Sequence, residues 1–305
     1  MLVVGERIHI ISPRVKAAFE NRDTKFIQEM ALAQVKAGAQ VLDLNIGPSK
    51  KQGPAIMEWL VPAVQEVTDV QLSLDTTNAA AMEAGLKLCK CSALLNSASA
   101  EAARMQAMIG LAAEYNADLV ALALTDKGIP NEASERAAVA LDLIAAAAEA
   151  GIGTERIYLD PLTLPVSADQ PGVMQTVESV RIFKQISDPP AKTIVGLSNV
   201  SNGSPNEVRG IINRVMLVMC LGAGLDAAIV DPLDTELLEW ARIVETRDES
   251  TAKGKLLCAI YDAVANMEDL DPAAVDMSDQ EQVEIFKTWQ ILANKIIYAH
   301  SFLKV

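Results

Sequence analysis

Histidine and aromatic residues are scarce in this chain, and their scarcity excludes several kinds of site. The 305 residues include two histidines, His9 and His300, and aromatic side chains make up 4% of the total. Two histidines are too few for most multi-histidine metal sites. A glycosidase would combine a carboxylate pair with aromatic platforms for the sugar. Here Trp59, Trp240 and Trp289 all fall in helix-like segments, which indicates packing.

Positive charge is also in short supply. The chain has 26 Lys and Arg against 40 Asp and Glu, a net charge of −14. A nucleic-acid partner is disfavoured, because neutralising phosphates requires a basic stripe. No uncharged apolar run approaches the ~20 residues that span a bilayer, and no signal-peptide pattern opens the sequence. The sequence therefore predicts a cytoplasmic protein without nucleic-acid or membrane partners.

The four cysteines do not form a recognisable metal or disulfide pattern. Only Cys89 and Cys91 lie close together, and no second pair follows at zinc-finger spacing. In a cytoplasmic protein such cysteines are expected to be reduced structural thiols. We therefore expect no protein-bound metal.

What the sequence does contain is a repeat of short apolar runs separated by amphipathic segments. The runs are LVVG (2–5), QVLDLN (40–45), VQLSLD (70–75), SALLN (92–96), DLVALAL (118–124), RIYLD (156–160), TIVGLSN (193–199) and LDAAIVD (225–231). Their lengths suit buried strands, and the segments between them have the helical period. Strand then helix, eight times, predicts an α/β protein of the (β/α)8 TIM-barrel class. A doubly wound sheet is the rival, but it normally has five or six strands, and no Gly-x-Gly-x-x-Gly follows the first run.

The C-terminal part departs from the repeat. Residues 234–246 and 286–300 are predicted to be helical, and the mostly acidic segment 247–285 between them is predicted to be an insertion in a single domain, 1–305. A solvated helical hairpin and a lid or partner-docking element are both compatible with this segment.

Polar residues gather at the ends of the apolar runs, where a barrel places its active site. They are Glu6 and Arg7, Asp43 and Asn45, Asp75, Asn96, Asp160, Ser198 and Asn199, and Asp231. A single carboxylate after an apolar run is often a helix N-cap. The convergence of several carboxylates on one face instead indicates a binding site.

The chemistry of this set favours a nitrogen heterocycle as ligand. Carboxylate oxygens match a ring N–H beside an exocyclic amino group, and asparagine offers both a donor and an acceptor. Asp75, Asn96 and Asp160 would suit a 2-amino-4-oxo heterocycle such as guanine or a pterin. Two alternatives stay open: Asp43 and Asp160 as a general acid–base pair, and a divalent metal held by Asp43, Asp75 and Asp160.

Two further kinds of chemistry are disfavoured. The acidic lining and the lack of a Gly-rich helix start carrying a lysine argue against phosphate. No predicted strand ends in lysine, which argues against a Schiff base. The loop TIVGLSNVSNGSP (193–205) has no charged residue, so any site there is built from amides and hydroxyls.

Several motifs together resemble one known family. They are GERIH (5–9), LDLNIGP (42–48), LDTTN (74–78), LLNS (94–97), LDPL (159–162), GLSNVS (196–201) and DAAIVDP (226–232). The chain is similar to the methyltetrahydrofolate:corrinoid protein methyltransferases of the pterin-binding barrel superfamily. The resemblance covers 1–246 and 286–305.

The resemblance implies a homodimer of barrels that binds the pterin of tetrahydrofolate in the barrel mouth, while a separate corrinoid protein approaches from above. Asp75, Asn96 and Asp160 would hold the pterin, and Asp43 would line the same pocket. The implied reaction moves a methyl group between cobalt and N5 of tetrahydrofolate. In this reaction the reactivity comes from the cobalt of the corrinoid rather than from a protein side chain.

The catalytic residue implied by the resemblance is Asn199, next to N5, with Gly196, Ser198, Asn202 and Arg209 around it. A neutral amide can stabilise N5 in either protonation state. Two departures from the family are visible. His9 stands where the family commonly has asparagine, and the family's arginine matches Arg209 only after a small shift.

The insertion favours transfer from a methylcorrinoid to tetrahydrofolate in a demethylation pathway. The alternatives are transfer from methyltetrahydrofolate to a Co(I) corrinoid iron–sulfur protein, a dihydropteroate synthase, and a non-catalytic pterin-binding subunit. A dihydropteroate synthase should show a lysine and arginine set late in the barrel, and the loop 193–203 lacks one.

Overall fold

The fold is a closed eight-stranded parallel barrel surrounded by helices. The structure is a computed structural model that describes residues 1–49 and 51–304. The strands within these residues are β1 (Leu2–His9), β2 (Val41–Asn45), β3 (Gln71–Asp75), β4 (Leu94–Ser99), β5 (Asp118–Leu122), β6 (Ile157–Asp160), β7 (Lys192–Gly196) and β8 (Ala227–Val230). Each strand pairs in parallel with the next, and β8 pairs with β1 to close the barrel. The predicted (β/α)8 fold class is confirmed.

The helices alternate with the strands and form the outer layer. Those in the described residues are α1 (Pro13–Asn21), α2 (Thr24–Lys36), α3 (Gly53–Gln65), α4 (Ala79–Leu86), α5 (Ala102–Glu114), α6 (Ala133–Glu149), α7 (Gln170–Phe183), α8 (Asn206–Gly222), α9 (Thr235–Thr246), α10 (Ala252–Asn266) and α11 (Gln280–Leu292). None of them is long and apolar enough to cross a membrane.

An apolar plug fills the barrel interior below the strand ends. Seven strands contribute to it, with Val4, Val41, Leu94, Val120, Tyr158, Ile194 and Ala227. Because side chains two residues apart share a face of a strand, the next inward position on each strand lies one layer closer to the carboxyl ends. The plug therefore fills the lower part of the barrel, and the space above it opens at the carboxyl-terminal mouth.

The C-terminal segment covers the outside of the barrel wall. The acidic segment 247–285 contains α10 and the beginning of α11, and α10 packs against α8 and α9. The packing is close, since a Cβ at Gly222 of α8 would lie 2.5 Å from the Tyr261 carbonyl oxygen. Leu256, Leu257 and Ile260 are buried in this contact.

Several predicted boundaries were wrong. Strands β1 and β4 extend beyond the predicted runs 2–5 and 92–96 to His9 and Ser99. The helix predicted over 286–300 begins at Gln280 and ends at Leu292, because Asn294 adopts a left-handed conformation (φ 56°) that ends the helical path. The run 193–199 is a strand only to Gly196, and Leu197–Ser201 form a turn of 3-10 helix.

Candidate functional site

The inward faces of the strands change from apolar to polar towards the carboxyl ends. On β2 the inward positions read Val41, Asp43 and Asn45, and on β4 they read Leu94 and Asn96. The same alternation puts polar atoms of several strands in one layer above the apolar plug. This layer forms the floor of a cavity of about 620 Å³, the mouth cavity.

Seven of the nine predicted site residues line the mouth cavity. They are Asp43, Asp75, Gly196, Ser198, Asn199, Asn202 and Arg209. The other two, Asn96 and Asp160, lie at the same end of the barrel and are 7% and 6% exposed, but they do not line this cavity. Asn96 still joins the site through a hydrogen bond, whereas Asp160 stands apart from it on β6.

Asp43 is the centre of a buried hydrogen-bond network. Its Oδ1 accepts a hydrogen bond from Ser73 Oγ (2.5 Å) and one from Asn96 Nδ2 (3.3 Å). Ser73 is the register partner of Asp43 on the neighbouring strand, so the barrel pairing itself sets this contact. Burial raises the pKa of Asp43 to about 6, although both hydrogen bonds act to lower it.

Asp75 forms a second pair with its register neighbour. The Asn45 side chain donates to Asp75 Oδ2, and Asn45 Oδ1 accepts from the Gly47 amide (3.0 Å). Burial, followed by the nearby charge of Asp43, raises the pKa of Asp75 well above its usual range. Because Asp43 and Asp75 are buried and interact with each other, a ligand that donates N–H groups to them would stabilise their ionised forms.

Asp160 is held by the loop that follows it. The Leu162 amide donates to Asp160 Oδ1 (2.7 Å), and burial raises the pKa of Asp160 to about 7. Below this loop lies the fully buried Arg136, whose guanidinium donates to the Pro161 carbonyl (3.3 Å) and to Thr176 Oγ1 (3.2 Å). A buried arginine with this many partners fixes the loop conformation.

The uncharged loop after β7 is ordered by amide and hydroxyl contacts. Asn202 Nδ2 donates to Asn199 Oδ1 (3.2 Å), and Arg209 donates from Nε to Ser201 Oγ (3.1 Å). A Cβ at Gly196 would lie 3.0 Å from Asn199 Nδ2, so glycine leaves room for the amide. The loop thus presents Asn199 to the mouth cavity in a fixed position.

Glu6 joins this loop from the opposite end of the sequence. Ser198 Oγ donates to Glu6 Oε1 (2.5 Å). A bulge in β1 between Gly5 and Ile8 adds one residue relative to β2, which changes which side chains face the interior. Burial raises the pKa of Glu6 to about 7, against the lowering effect of the Ser198 hydrogen bond.

His9 and Arg7 extend the ionisable rim around the same end of β1. Arg7 forms an ion pair with Asp231 (2.9 Å), and both line the mouth cavity together with His9. Burial, and then the charge of Arg7, lowers the pKa of His9. Both effects favour the neutral form of the His9 imidazole.

Helix α8 contributes a polar face of which only Arg209 was predicted from the sequence. Asn206, Arg209 and Asn213 line the mouth cavity, and their spacing of three and four residues places them on one side of the helix. Asn213 Oδ1 is buried and has no hydrogen-bond partner among the described residues, so it is available to a ligand donor. The helical spacing is the sequence signal that could have identified this face.

The arrangement offers carboxylates and amides to a heterocycle. In residues 1–49 and 51–304 no group of three or more His, Cys, Asp or Glu is arranged to hold a metal ion. Asp43 and Asp75 accept hydrogen bonds on one side of the cavity, and Asn199 faces it from the other side. Fold and site define a (β/α)8 barrel protein with a polar ligand site in its mouth.

The chain belongs to the pterin-binding enzyme family, described as "Pterin binding enzyme", which matches residues 14–231. A methylcorrinoid:tetrahydrofolate methyltransferase of Eubacterium limosum is 28% identical over 240 residues, 78% of this chain and 88% of that protein. A methionine synthase of Mycobacterium tuberculosis is 29% identical over 283 residues, 89% of this chain but 23% of that protein. The expected membership of the pterin-binding barrel superfamily is confirmed.

Solved structures support the same architecture. A structure of Yersinia pestis DHPS with a pterine-sulfa conjugate has a TM-score of 0.62 and 17% identity, covering 82% of this chain and 94% of that one. Another of the Yersinia pestis dihydropteroate synthase has a TM-score of 0.60 and 18% identity, covering 81% and 92%. At these identities the likeness concerns the fold alone.

Proposed function

We propose that this protein moves a methyl group from a methylated corrinoid, carried by a partner protein, to N5 of tetrahydrofolate. The similarity to the Eubacterium limosum methyltransferase supports the reaction and its direction. The observation that carries the proposal is Asn199, an amide fixed above a cavity whose other side is lined by Asp43 and Asp75.

In this proposal the acidic side of the cavity binds the pterin. The 2-amino group and the neighbouring ring N–H of a pterin are donors, and they match the carboxylates of Asp43 and Asp75, which both line the mouth cavity. Asn96 donates to Asp43, which leaves its Oδ1 free to accept from the ring. A hydrogen bond from the ligand to each buried carboxyl group would favour its ionised form.

In this proposal N5 lies on the uncharged side of the cavity, next to Asn199. The corrinoid supplies the methyl group and keeps the electron pair of the broken cobalt–carbon bond. N5 gives its lone pair to the methyl carbon, becomes positively charged, and then releases its proton. Asn199 stabilises the N5 charge through its amide oxygen, and Glu6, linked to the loop by Ser198, accepts the released proton.

The pKa of Glu6 suits this role. A general base works best when its pKa lies near the operating pH, and burial raises the pKa of Glu6 to about 7. In the opposite direction the same group would return the proton to N5. The direction towards tetrahydrofolate, in a demethylation pathway, therefore rests on the likeness to the relative rather than on the geometry.

Incubation with methylcobalamin and tetrahydrofolate tests the proposal. We expect the methylcobalamin spectrum to decay while 5-methyltetrahydrofolate accumulates, and a slower reaction from 5-methyltetrahydrofolate to reduced cobalamin. If tetrahydrofolate binds but the cobalt spectrum does not change in either direction, the protein is a non-catalytic pterin-binding subunit and the proposed methyl transfer is wrong. Formation of dihydropteroate from a dihydropterin pyrophosphate and p-aminobenzoate would instead favour a dihydropteroate synthase.

The remaining parts of the proposal concern assembly and location. We expect a homodimer in the cytoplasm that docks a corrinoid protein over the barrel mouth. Light scattering of the purified chain measures the oligomeric state. Co-elution with a methylated corrinoid protein tests the docking.

A further inference from the structure

A second cavity lies beside the mouth cavity, and nothing in the proposed methyl transfer uses it. Its volume is about 290 Å³, and it is lined by Ile10, Lys16, Phe19, Glu20, Ser49, Lys51, Gln52 and Ile56. These residues come from α1, from the start of α3 and from the loops after β1 and β2. It therefore opens at the same end of the barrel as the mouth cavity.

The two cavities are separated by one pair of neighbouring residues. Asn45 lines the mouth cavity and Ile10 lines the second cavity, and the Ile10 amide donates to the Asn45 carbonyl (2.9 Å). The loop between them is ordered, since Asn78 Nδ2 donates to the Ser49 carbonyl (3.1 Å) and Ser49 Oγ to the Ile46 carbonyl (2.7 Å). The two cavities therefore adjoin at the ends of β1 and β2, and a ligand that extends from the mouth cavity past Ile10 would reach the second cavity.

The charge of the second cavity is unusual for this protein. The chain as a whole carries −14, yet this cavity has two lysines against one glutamate, Glu20. The side chains of Lys16 and Lys51 make no ion pair with any described residue. The floor is apolar, with the buried Phe19 and Ile56. An apolar floor below two unpaired ammonium groups suits an aromatic ring followed by carboxylates.

We propose that this lysine cavity binds the aminobenzoyl-glutamate tail of the folate and prefers a tail of several glutamates; this rests on the proposed function. The tail is attached to the pterin carbon next to N5, so it extends from the reacting edge of the ring towards the opening of the mouth cavity. On the β8 side of that rim, Asp231 and Asp234 already pair with Arg7 (2.9 Å) and Arg214 (2.8 Å), so these two arginines are neutralised. Each additional γ-linked glutamate adds one carboxylate for Lys16 and Lys51 to neutralise.

Calorimetric titration of the full chain with tetrahydropteroyl monoglutamate and triglutamate tests the proposal. We expect the triglutamate to bind about fivefold more tightly, on the order of what one or two exposed ion pairs supply. This preference should shrink as salt rises, because exposed charges are screened. In K16Q/K51Q the ratio of the two dissociation constants should fall to within about twofold.

Two matched variants control this experiment. K16R/K51R keeps both charges and should keep the preference. K36Q removes an exposed lysine from the last turn of α2, at the opposite end of the barrel, and should also keep it. Equal affinity for the two tails in the unmodified protein, or an unchanged ratio in K16Q/K51Q, would overturn the lysine cavity as the tail site. Failure of a tail-less tetrahydropterin to bind at all would instead overturn the proposed function.

Discussion

Ser198 donates a hydrogen bond to Glu6 across 192 positions of sequence, at an Oγ–Oε1 distance of 2.5 Å. This contact exists only because β8 pairs with β1 and closes the barrel. It attaches an ionisable group to a loop that carries no charge of its own. The ionisable group that contacts the uncharged loop after β7 therefore comes from the first strand.

The first prediction concerns Glu6 and pH. If the carboxylate accepts the N5 proton, kcat for methyl transfer to tetrahydrofolate should rise with pH through about 7 and then level off, since only the ionised form is a base. The reverse reaction needs the protonated form and should fall over the same range. Glu6→Gln should remove both pH limbs and slow each direction by about 100-fold.

Ser198→Ala provides the control for Glu6, because the Ser198 hydrogen bond lowers the Glu6 pKa. Its loss should move the pH limb to higher values without abolishing it. A limb that stays at the same pH in Ser198→Ala would assign the titration to another group.

The second prediction concerns the pH dependence of folate binding. Burial raises the pKa of Asp43 to about 6 and that of Asp75 well above its usual range, and a pterin that donates to these carboxyl groups binds their ionised forms. Affinity should therefore increase as pH rises from about 5.5 to 7.5 and then become constant, with proton release on binding below the plateau. Calorimetry in two buffers with different ionisation enthalpies measures the released protons. Proton uptake on binding would contradict this assignment.

The third prediction separates catalysis from binding at Asn199. Asn199→Ala should lower kcat by about 10- to 100-fold, as expected for one polar group that stabilises a developing charge. The dissociation constant for tetrahydrofolate should change much less. Asn206→Ala removes an amide from the rim of the same cavity and serves as the matched control. Equal losses of kcat and affinity in Asn199→Ala would make Asn199 a simple binding contact.

The fourth prediction concerns a strap formed by residues 293–302, which follows α11. Gln170 at the start of α7 donates to the Ile296 carbonyl (2.6 Å) and accepts from the Tyr298 amide (2.8 Å). The Tyr298 hydroxyl donates to Ser204 Oγ (2.7 Å), at the end of the loop that carries Asn199. The strap therefore links the C-terminal segment to the loop that carries Asn199.

Tyr298→Phe removes only the hydroxyl and should lower kcat about three- to tenfold, consistent with ~1 kcal/mol for one hydrogen bond. The dissociation constant for tetrahydrofolate should stay nearly constant. Ser204→Ala should have the same effect, and the double variant should be no slower than either single variant. Additive losses would show that the two hydroxyls act independently.

Local sequence patterns determined the barrel and much of its mouth. Alternating strand and helix periods encode the repeat, and the last residues of the strands identify Asp43, Asp75, Asn96 and Asp160 as inward-facing polar groups. These properties depend on neighbours a few residues apart, so one sequence suffices to read them. The same local reasoning misplaced the end of the last long helix, because Asn294 and the contacts of the strap override the helical pattern.

Long-range contacts decided how the side chains at the mouth meet, and no local sequence period encodes such contacts. Closure of β8 on β1 brings Glu6 to Ser198, and the bulge in β1 sets which of its side chains face the interior. The polar face of α8 and the lysine cavity likewise join segments that are distant in sequence. The sequence by itself determined most of the residues that lie at the mouth of the barrel. Only the tertiary structure decided which of them line the mouth cavity and which contact each other, because those distances depend on how the barrel closes and how the loops pack across it.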